Sequence, residues 1–364
     1  MIRVAVVGVG NCASSLMQAV TMNETRCITP TINGLTVADI DVVCGFDVDS
    51  RKVHQTLAVA AAKNNAVMRA SLSRFHGPVY LGPRLDGVAE HMCDEDGFLP
   101  HIDTVGVDVV EALREHDVDV VVNYLPVGSE QAARRYARSA ALAGCAFVNC
   151  MPTFLSVDHE VQRMYETRGL AFIGDDVKSQ LGATIVHRAL AELFKMRNVK
   201  LSRTYQLNTG GNTDFRNMLE RARLVSKKIS KTQAVTSVAP PIAAEHLHIG
   251  PSDFVPWLGD TKMAFIRMEG EGCMGAPIEI ELKLTVEDSP NSAGVVLDCI
   301  RHAHIATINM PMGGGGALRY ASAAYMKSPP CMEMNDFNAM SAIEAIACGE
   351  MDDVVYQGGH ADEL

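Results

Sequence analysis

The sequence predicts an α/β protein: a doubly wound parallel sheet followed by a second, smaller sheet of mostly antiparallel strands. Three observations carry this. The 364 residues are too many for one small domain. Short β-branched runs alternate with helical patterns up to about residue 195, as in sheets built from strand–helix–strand units. After Phe194 the pattern turns to alternation of apolar and polar residues, the mark of half-exposed strands.

Residues 2–7 are apolar except for Arg3 and suit a central strand buried on both faces. Gly8-Val9-Gly10-Asn11-Cys12-Ala13 follows at once and leads into a helix from Ser14 to about Met22. In this G-x-G-x-x-A turn, Gly8 permits the tight bend and Gly10 lets backbone approach a pyrophosphate. Ala13 lets helix and strand pack closely. The helix N-terminus, with Asn11 and Cys12, faces the phosphates. The position of the turn after the first strand points to a dinucleotide-binding, Rossmann-type domain.

The next strand, residues 40–46, ends at Asp47, whose carboxylate suits the adenosine ribose hydroxyls and favours NAD over NADP. Asp47 lies further from the glycines than usual because residues 23–38 are inserted before the strand. Asp49 reads as a helix N-cap for the segment starting at Ser50. Residues 65–105 read as an excursion from the sheet that passes over the adenosine. Residues 118–124 form another buried strand and run into Leu125-Pro126-Val127-Gly128-Ser129, a loop at the carboxyl edge where such sheets bind ligands. Ser129 is a suitable N-cap for the Ala-rich helix that follows. Residues 146–150 and 170–174 repeat the strand pattern. After the last comes Asp175-Asp176-Val177-Lys178-Ser179-Gln180, which reads equally as a site or as a capping sequence for a helix from about Thr184.

Residues 199–207, 263–268 and 277–286 are the half-exposed strands of the second sheet. Between them lie three polar segments read as loops: 208–215, a lysine-rich stretch at 224–236, and 250–262. Loops of that content carry function when a rigid scaffold holds them. Lys227 and Lys231 are four apart and share one helix face, an arrangement that invites an anion between them, whereas Lys228 points to solvent or to a structural ion pair. Asp288-Ser289-Pro290 starts a helix to about Thr307, and residues 313–316 read as a flexible hinge or a loop that covers a ligand. His246 with His248, and His302 with His304, could bind metal on a strand but not on a helix, and no third ligand has suitable spacing.

Composition narrows the partners. With 48% hydrophobic and 21% charged residues the chain can bury a sizeable core. The net charge of −11 argues against nucleic acid or an anionic membrane as main partner, while a local basic pocket remains compatible with it. The ten cysteines include no Cys-x-x-Cys pair and fit reduced thiols of a cytoplasmic protein. Met1 leads straight into the first strand, so no secretion signal is expected, and no apolar run is long enough to span a bilayer.

The chain resembles the myo-inositol-1-phosphate synthase family, specifically its short prokaryotic branch. The resemblance rests on residues 8–15, 124–130 (Tyr-Leu-Pro-Val-Gly-Ser-Glu), 174–180, 210–215 (Gly-Gly-Asn-Thr-Asp-Phe), 226–233, 259–262, 288–294 and 326–330, in that order. It implies an NAD-binding Rossmann domain over residues 1–197 and an inserted α+β sheet domain for catalysis and tetramer contacts over 198–308. A C-terminal segment, 309–364, would return to the first domain. It implies conversion of D-glucose 6-phosphate to 1D-myo-inositol 3-phosphate, the first step of inositol and inositol-phospholipid biosynthesis, through oxidation at C5, enolisation, aldol ring closure and reduction. The alternative is a sugar-phosphate dehydrogenase with net NADH formation. By family position, Lys227 is the acid/base group at C5, with a pKa lowered by neighbouring cations. Lys231, Lys262 and Lys327 hold phosphate and oxyanions, and Asp176 orients a lysine or a sugar hydroxyl. Asn208, Asn212, Asp260, Ser179 and Lys178 face the sugar. Asp47, Pro126, Ser129, Asp175 and Asp214 join the glycine-rich turn in holding NAD. The family's cation, monovalent or divalent by branch, would sit at Asp288 and Ser289. A homotetramer is the expected assembly.

Overall fold

The computed structural model describes residues 1–356 other than 65, 221, 222, 224, 240, 332 and 333, with the backbone alone at 225, 251 and 252. Ile2–Val7 forms β1, with Ile2, Val4 and Val6 buried against one layer of helices and Ala5 and Val7 against the other. Each such side chain contributes about 1.5–3 kcal/mol on burial. Arg3, the polar exception, donates its backbone N–H to the Asp119 carboxylate at 2.7 Å and its Nε to the His116 carbonyl at 2.7 Å. Then come α1 (Asn11–Thr21), β2 (Ile40–Asp47), α2 (Leu57–Ala61), β3 (Val79–Leu81), α3 (Val109–Glu115), β4 (Val120–Asn123), α4 (Glu130–Ala143), β5 (Ala146–Asn149), α5 (His159–Arg168), β6 (Ala171–Ile173) and α6 (Ala183–Met196). The excursion at 65–105 thus returns to the sheet as β3. Asp49 caps a turn by accepting the Arg51 N–H at 2.9 Å; no helix starts at Ser50.

The second sheet holds β7 (Lys200–Gly210), β8 (Leu247–Phe254), β9 (Thr261–Glu271) and β10 (Pro277–Glu287) in the order β10-β9-β7-β8, with α7 (Thr213–Asn217) and α8 (Val225–Thr236) between β7 and β8. β8 pairs parallel to β7, so part of the expected 250–262 loop is strand. Gly250 and Pro251 break the apolar alternation, and backbone pairing with β7 supplies what the pattern lacks. One face of this sheet packs Leu201, Ala264, Ile266 and Met268 against Ala183, Ala191 and Phe194 of α6. The other face is open: Tyr205, Leu207 and Phe265 are 36%, 40% and 39% exposed.

α9 (Asp288–Asn309) leaves β10 and packs on the parallel sheet, burying Val295, Val296, Cys299 and Ile300 in the same core as β1 and α1. The last part of the 198–308 segment thus contributes α9 to the core of the parallel sheet. β11 (Gly316–Ala317) pairs with β6 and completes the order β11-β6-β5-β4-β1-β2-β3. Gly315 and Gly316 enter this strand, with Gly315 packed so close to the Tyr165 and Leu170 backbones that a Cβ would lie 2.3 Å from the Tyr165 carbonyl. Residues 313–316 thus lead into an edge strand and do not line the cleft described below. α10 (Arg319–Tyr325) and α11 (Asp336–Ala347) close the same layer as α9. His302 and His304 lie on α9 and His246 lies outside β8, so neither histidine pair can chelate; among the described residues no cluster of three metal-binding side chains occurs. No described helix is long and apolar enough to cross a membrane.

Candidate active site

A cleft of about 1400 Å³, open to solvent, runs along the carboxyl ends of β1, β2 and β4 and reaches α8. At one end lies the glycine-rich turn. Gly8 has φ +87° and a Cβ there would lie 2.9 Å from the Tyr124 carbonyl oxygen, so only glycine fits. Gly10 is the opposite case: a Cβ would meet nothing within 4 Å, because the residue faces the open cleft. No side chain caps α1, so its first amides are available to an anion. The buried Asn11 Nδ2 has no partner among the described residues. Ala13 is fully buried beneath the turn and packs rather than touching the cleft.

Asp47 ends β2. Its Oδ1 accepts from the Val48 and Asp49 N–H groups at 2.7 and 3.0 Å, and its Oδ2 from the Val9 N–H at 2.9 Å, with Lys52 Nζ 3.8 Å away. The far wall comes from the excursion: Arg84, Val88 and Phe98 line the cleft there. Pro126 lines its middle. An orphaned amide, a bare Gly10 and a held acceptor at the end of β2 fit a dinucleotide.

At the other end, lysines from separate elements converge. Lys227, Ser230, Lys231 and Ala234 occupy one face of α8. Lys227 Nζ donates to Asp214 at 2.9 Å, Lys262 Nζ to Asp288 at 3.1 Å, and Lys327 Nζ to Asp176 at 2.8 Å and to the Val177 carbonyl at 2.7 Å. Ser230 Oγ donates to the second Asp176 oxygen at 2.7 Å and accepts from Ser328 Oγ at 2.8 Å. Asp176 has φ +63° and is held there by backbone zipping: the Lys327 N–H donates to the Asp176 carbonyl at 2.7 Å and the Lys178 N–H to the Tyr325 carbonyl at 2.8 Å.

The charges differ by position. Burial, then Lys262, Lys227 and Lys327, push the Lys231 ammonium down to about 7, against a smaller pull from Asp176. Burial also opposes the charge of Lys227, but Asp214, Asp176 and Asp288 more than offset it, so its pKa is raised. The lowered pKa expected at Lys227 therefore belongs to Lys231. Lys327 is lowered, by burial and then by Lys227 and Lys262 against Asp176. Asp176 and Asp288 resist burial and stay low because of the lysines beside them. Four lysines against three ion-paired carboxylates leave a buried excess of positive charge, which suits an anion carrying about two negative charges.

Several predicted positions fall elsewhere. Lys178 turns away from the cleft and donates to the Ala323 carbonyl at 2.6 Å and to Asp336 at 2.7 Å. Asp175 accepts from Asn149 Nδ2 at 2.6 Å and the Ser156 N–H at 2.9 Å; burial raises it to about 7, so it braces the strand ends and does not line the cleft. Ser129 makes no capping bond. Asp86 caps α4 instead, accepting from the Gln131 and Ala132 N–H groups at 2.8 and 2.9 Å. Asn208 accepts from Gln206 Nε2 at 3.1 Å behind the cleft wall, and its buried Nδ2 has no described partner. Asp260 accepts from Ser289 N and Oγ at 3.0 and 2.8 Å and from Asn212 Nδ2 at 3.3 Å, so it supports the wall that Asn212 and Ser289 form. Ser179, Asn212, Asp214 and Cys12 do line the cleft.

Asp288 and Ser289 do not fit a resident cation: both Asp288 oxygens are engaged by Lys262 and Asn212, and Ser289 donates to Asp260. Lys52, Asn64, Arg84 and Ser230 were missed. Ser230 alone had a signal, since it sits three residues after Lys227 on the lysine face.

The family model for myo-inositol-1-phosphate synthase matches residues 182–289. The chain is 48% identical over 344 residues to an inositol-3-phosphate synthase of Mycolicibacterium smegmatis, covering 90% of this chain and 93% of that protein. It is 47% identical over 359 residues to the inositol-3-phosphate synthase of Mycobacterium tuberculosis, covering 96% of each. A myo-inositol-1-phosphate synthase-related protein from Thermotoga maritima shares the fold, with a TM-score of 0.78 at 22% identity over 98% of this chain and 100% of that one. The chain belongs to the myo-inositol-1-phosphate synthase family.

Proposed function

We propose that the chain isomerises D-glucose 6-phosphate to 1D-myo-inositol 3-phosphate with NAD as a recycled cofactor. The observation that carries this is the convergence of Lys227, Lys231, Lys262 and Lys327 at the end of a dinucleotide cleft. A dehydrogenase needs one proton acceptor beside the nicotinamide. A cyclase, beyond the phosphate site that a sugar-phosphate dehydrogenase shares, must stabilise successive charges on the C5 and C1 oxygens, which calls for several fixed cations.

Gly8, Gly10, Asn11, Cys12, Asp47 and Pro126 would hold the NAD, which when bound supplies reversible hydride transfer at C5. Lys327 and Lys262, each fixed by a carboxylate, hold the phosphate and the developing oxyanions, with Lys231 behind them. Lys227 faces the C5 oxygen. Asp214 accepts from its ammonium at 2.9 Å. Asp214 also lines the cofactor cleft and has a buried oxygen without a described partner. Asp214 would thus stand between the cofactor and Lys227, and Lys227, held by it, would exchange a proton with the C5 hydroxyl. A homotetramer belongs to the same reading, supported by the open face around Tyr205, Leu207 and Phe265. So does a cytoplasmic setting, supported by ten unpaired cysteines.

The test is incubation with glucose 6-phosphate and substoichiometric NAD. Inositol phosphate in excess of NAD, without accumulating NADH, is expected. NADH formed in proportion to sugar consumed would instead establish a sugar-phosphate dehydrogenase. Lys227→Met should keep NAD binding and lose turnover, and a wild-type rate in that variant rejects its role.

A further inference from the structure

The lysine that the sequence pointed at the sugar, Lys178, is 2% exposed and turned to Asp336, in the first turn of α11. Asp336 receives a second cation: Arg188 Nε of α6 donates to its other oxygen at 2.6 Å. Arg188 then reaches α8, where Nη1 donates to the Ala234 carbonyl and to Ser237 Oγ, the latter at 3.0 Å. One carboxylate thus ties the 176–179 loop, through Lys178, and α8, through Arg188 of the intervening α6, to a third element, α11. On the Lys178 side is the loop whose Asp176 and Ser179 line the cleft and whose backbone is zipped to Lys327. On the Arg188 side is the helix whose Lys227, Ser230 and Lys231 lie on the Ala234 face.

We propose that Asp336 is a positioning residue for the reaction, fixing the separation between the Asp176–Lys327 ledge and the lysine face of α8 through Lys178 and Arg188. The proposal rests on the cyclase reading above. A largely buried ionic triad, here with Asp336 still 23% exposed, is a poor source of net stability compared with apolar packing of the same volume, because its cations must be desolvated. What it adds is direction. Each oxygen of Asp336 is committed to a different cation, and the arginine fork fixes angle as well as distance. The Asp176–Ser230 bond at 2.7 Å spans the same gap at the cleft and is the contact that a slip of α8 would break first.

The experiment compares wild type, Asp336→Asn, Asp336→Glu and Arg188→Lys in the full chain, with kcat, KM, NAD affinity and thermal midpoint measured for each. Arg188→Lys keeps the charge facing Asp336 but lacks the fork that reaches Ala234 and Ser237. It is expected to remain folded and to bind NAD as wild type does, with kcat down roughly 10- to 100-fold, the cost of displacing catalytic groups by about an ångström. Asp336→Asn should lose at least as much in its folded fraction, and Asp336→Glu should recover part of the rate. A purely structural role would lower the thermal midpoint and leave kcat and KM of the folded protein unchanged. That result, or wild-type kinetics in folded Arg188→Lys, overturns the proposal. Absence of cyclase turnover in the wild type would instead reject the functional reading itself.

Discussion

Binding of the sugar phosphate should drive a proton onto Lys231. Burial and three neighbouring lysines push this ammonium down to about 7. At pH 8 only about one chain in ten then carries the proton, by the ordinary titration relation. A phosphate dianion supplies the negative charge that the cluster lacks and restores the pKa toward the usual lysine value of ~10.4, where protonation is complete at pH 8. Binding at pH 8 should therefore take up ~0.9 proton per chain, and a shift of that size corresponds to roughly 5 kcal/mol of interaction between the dianion and the charged amine. The sign follows from linkage: affinity is greatest below about pH 7 and weakens up to tenfold per unit as pH rises through the window between the free and bound values. The ligand-free fold shows the opposite trend from the same group. Above about pH 7 the unfolded chain binds the proton more readily, so a rise in pH through that window stabilises the fold. The assay is calorimetric titration with glucose 6-phosphate at pH 8, NAD removed so that no hydride acceptor is present, in buffers of different ionisation enthalpy. Lys231→Met is the control and should show no uptake. An uptake below about 0.3 proton in the wild type, or an undiminished uptake in Lys231→Met, would refute the reasoning.

Other outcomes separate cofactor contacts from fold. Gly10→Ala adds a methyl group that meets no protein atom within 4 Å, so the thermal midpoint should hold while NAD affinity drops roughly tenfold or more, since the methyl occupies the space a pyrophosphate approaches. Gly8→Ala should instead fail in the fold: φ +87° costs about 1–2 kcal/mol for any L side chain, and the methyl group strikes the Tyr124 carbonyl. Asp175→Asn sets an amide nitrogen against one of two donors, Asn149 Nδ2 or the Ser156 N–H, and should cost about 1–3 kcal/mol in denaturant titration at pH 6. The wild-type Asp175, raised to about 7, stabilises the fold when protonated. That contribution is full below the unfolded carboxylate value and lost as pH rises toward 7, a slope the variant should not show.

Patterns within one segment were legible. The G-x-G-x-x-A turn gave β1, α1 and the cofactor end, and the i, i+4 spacing of Lys227 and Lys231 gave the lysine face. What depends on distant partners was not. Lys231 is lowered by burial and the lysines around it, while Lys227 is raised by Asp214, Asp176 and Asp288, and these groups arrive from different segments. Nothing in the pattern of α9 tells which sheet it covers, because an apolar helix face is the same against either. Asp175 and Asp176 are neighbours of one chemical type, yet Asp175 turns to Asn149 and Ser156 while Asp176, at a φ of +63°, turns to Lys327 and Ser230. Lys178 looked like a sugar ligand because its counter-ion, Asp336, lies far along the chain.

The zipper between residues 175–178 and 325–328 has a consequence for the time at which the protein becomes active. The ribosome finishes β1 through β6 long before it makes β11, α10 and Lys327, so the early part of the sheet waits with one edge unpaired and one core face lacking α9. A nascent chain in that state can build its glycine-rich turn, yet it holds no complete cation cluster. Closing the loop from β6 to β11 is a long-range event and should be among the slow steps of folding. The glycine-rich turn can thus form during synthesis, whereas the cation cluster must wait until the segment carrying Lys327 has been made and has paired with residues 175–178. Premature termination before Lys327 would yield a nucleotide-binding fragment with no turnover.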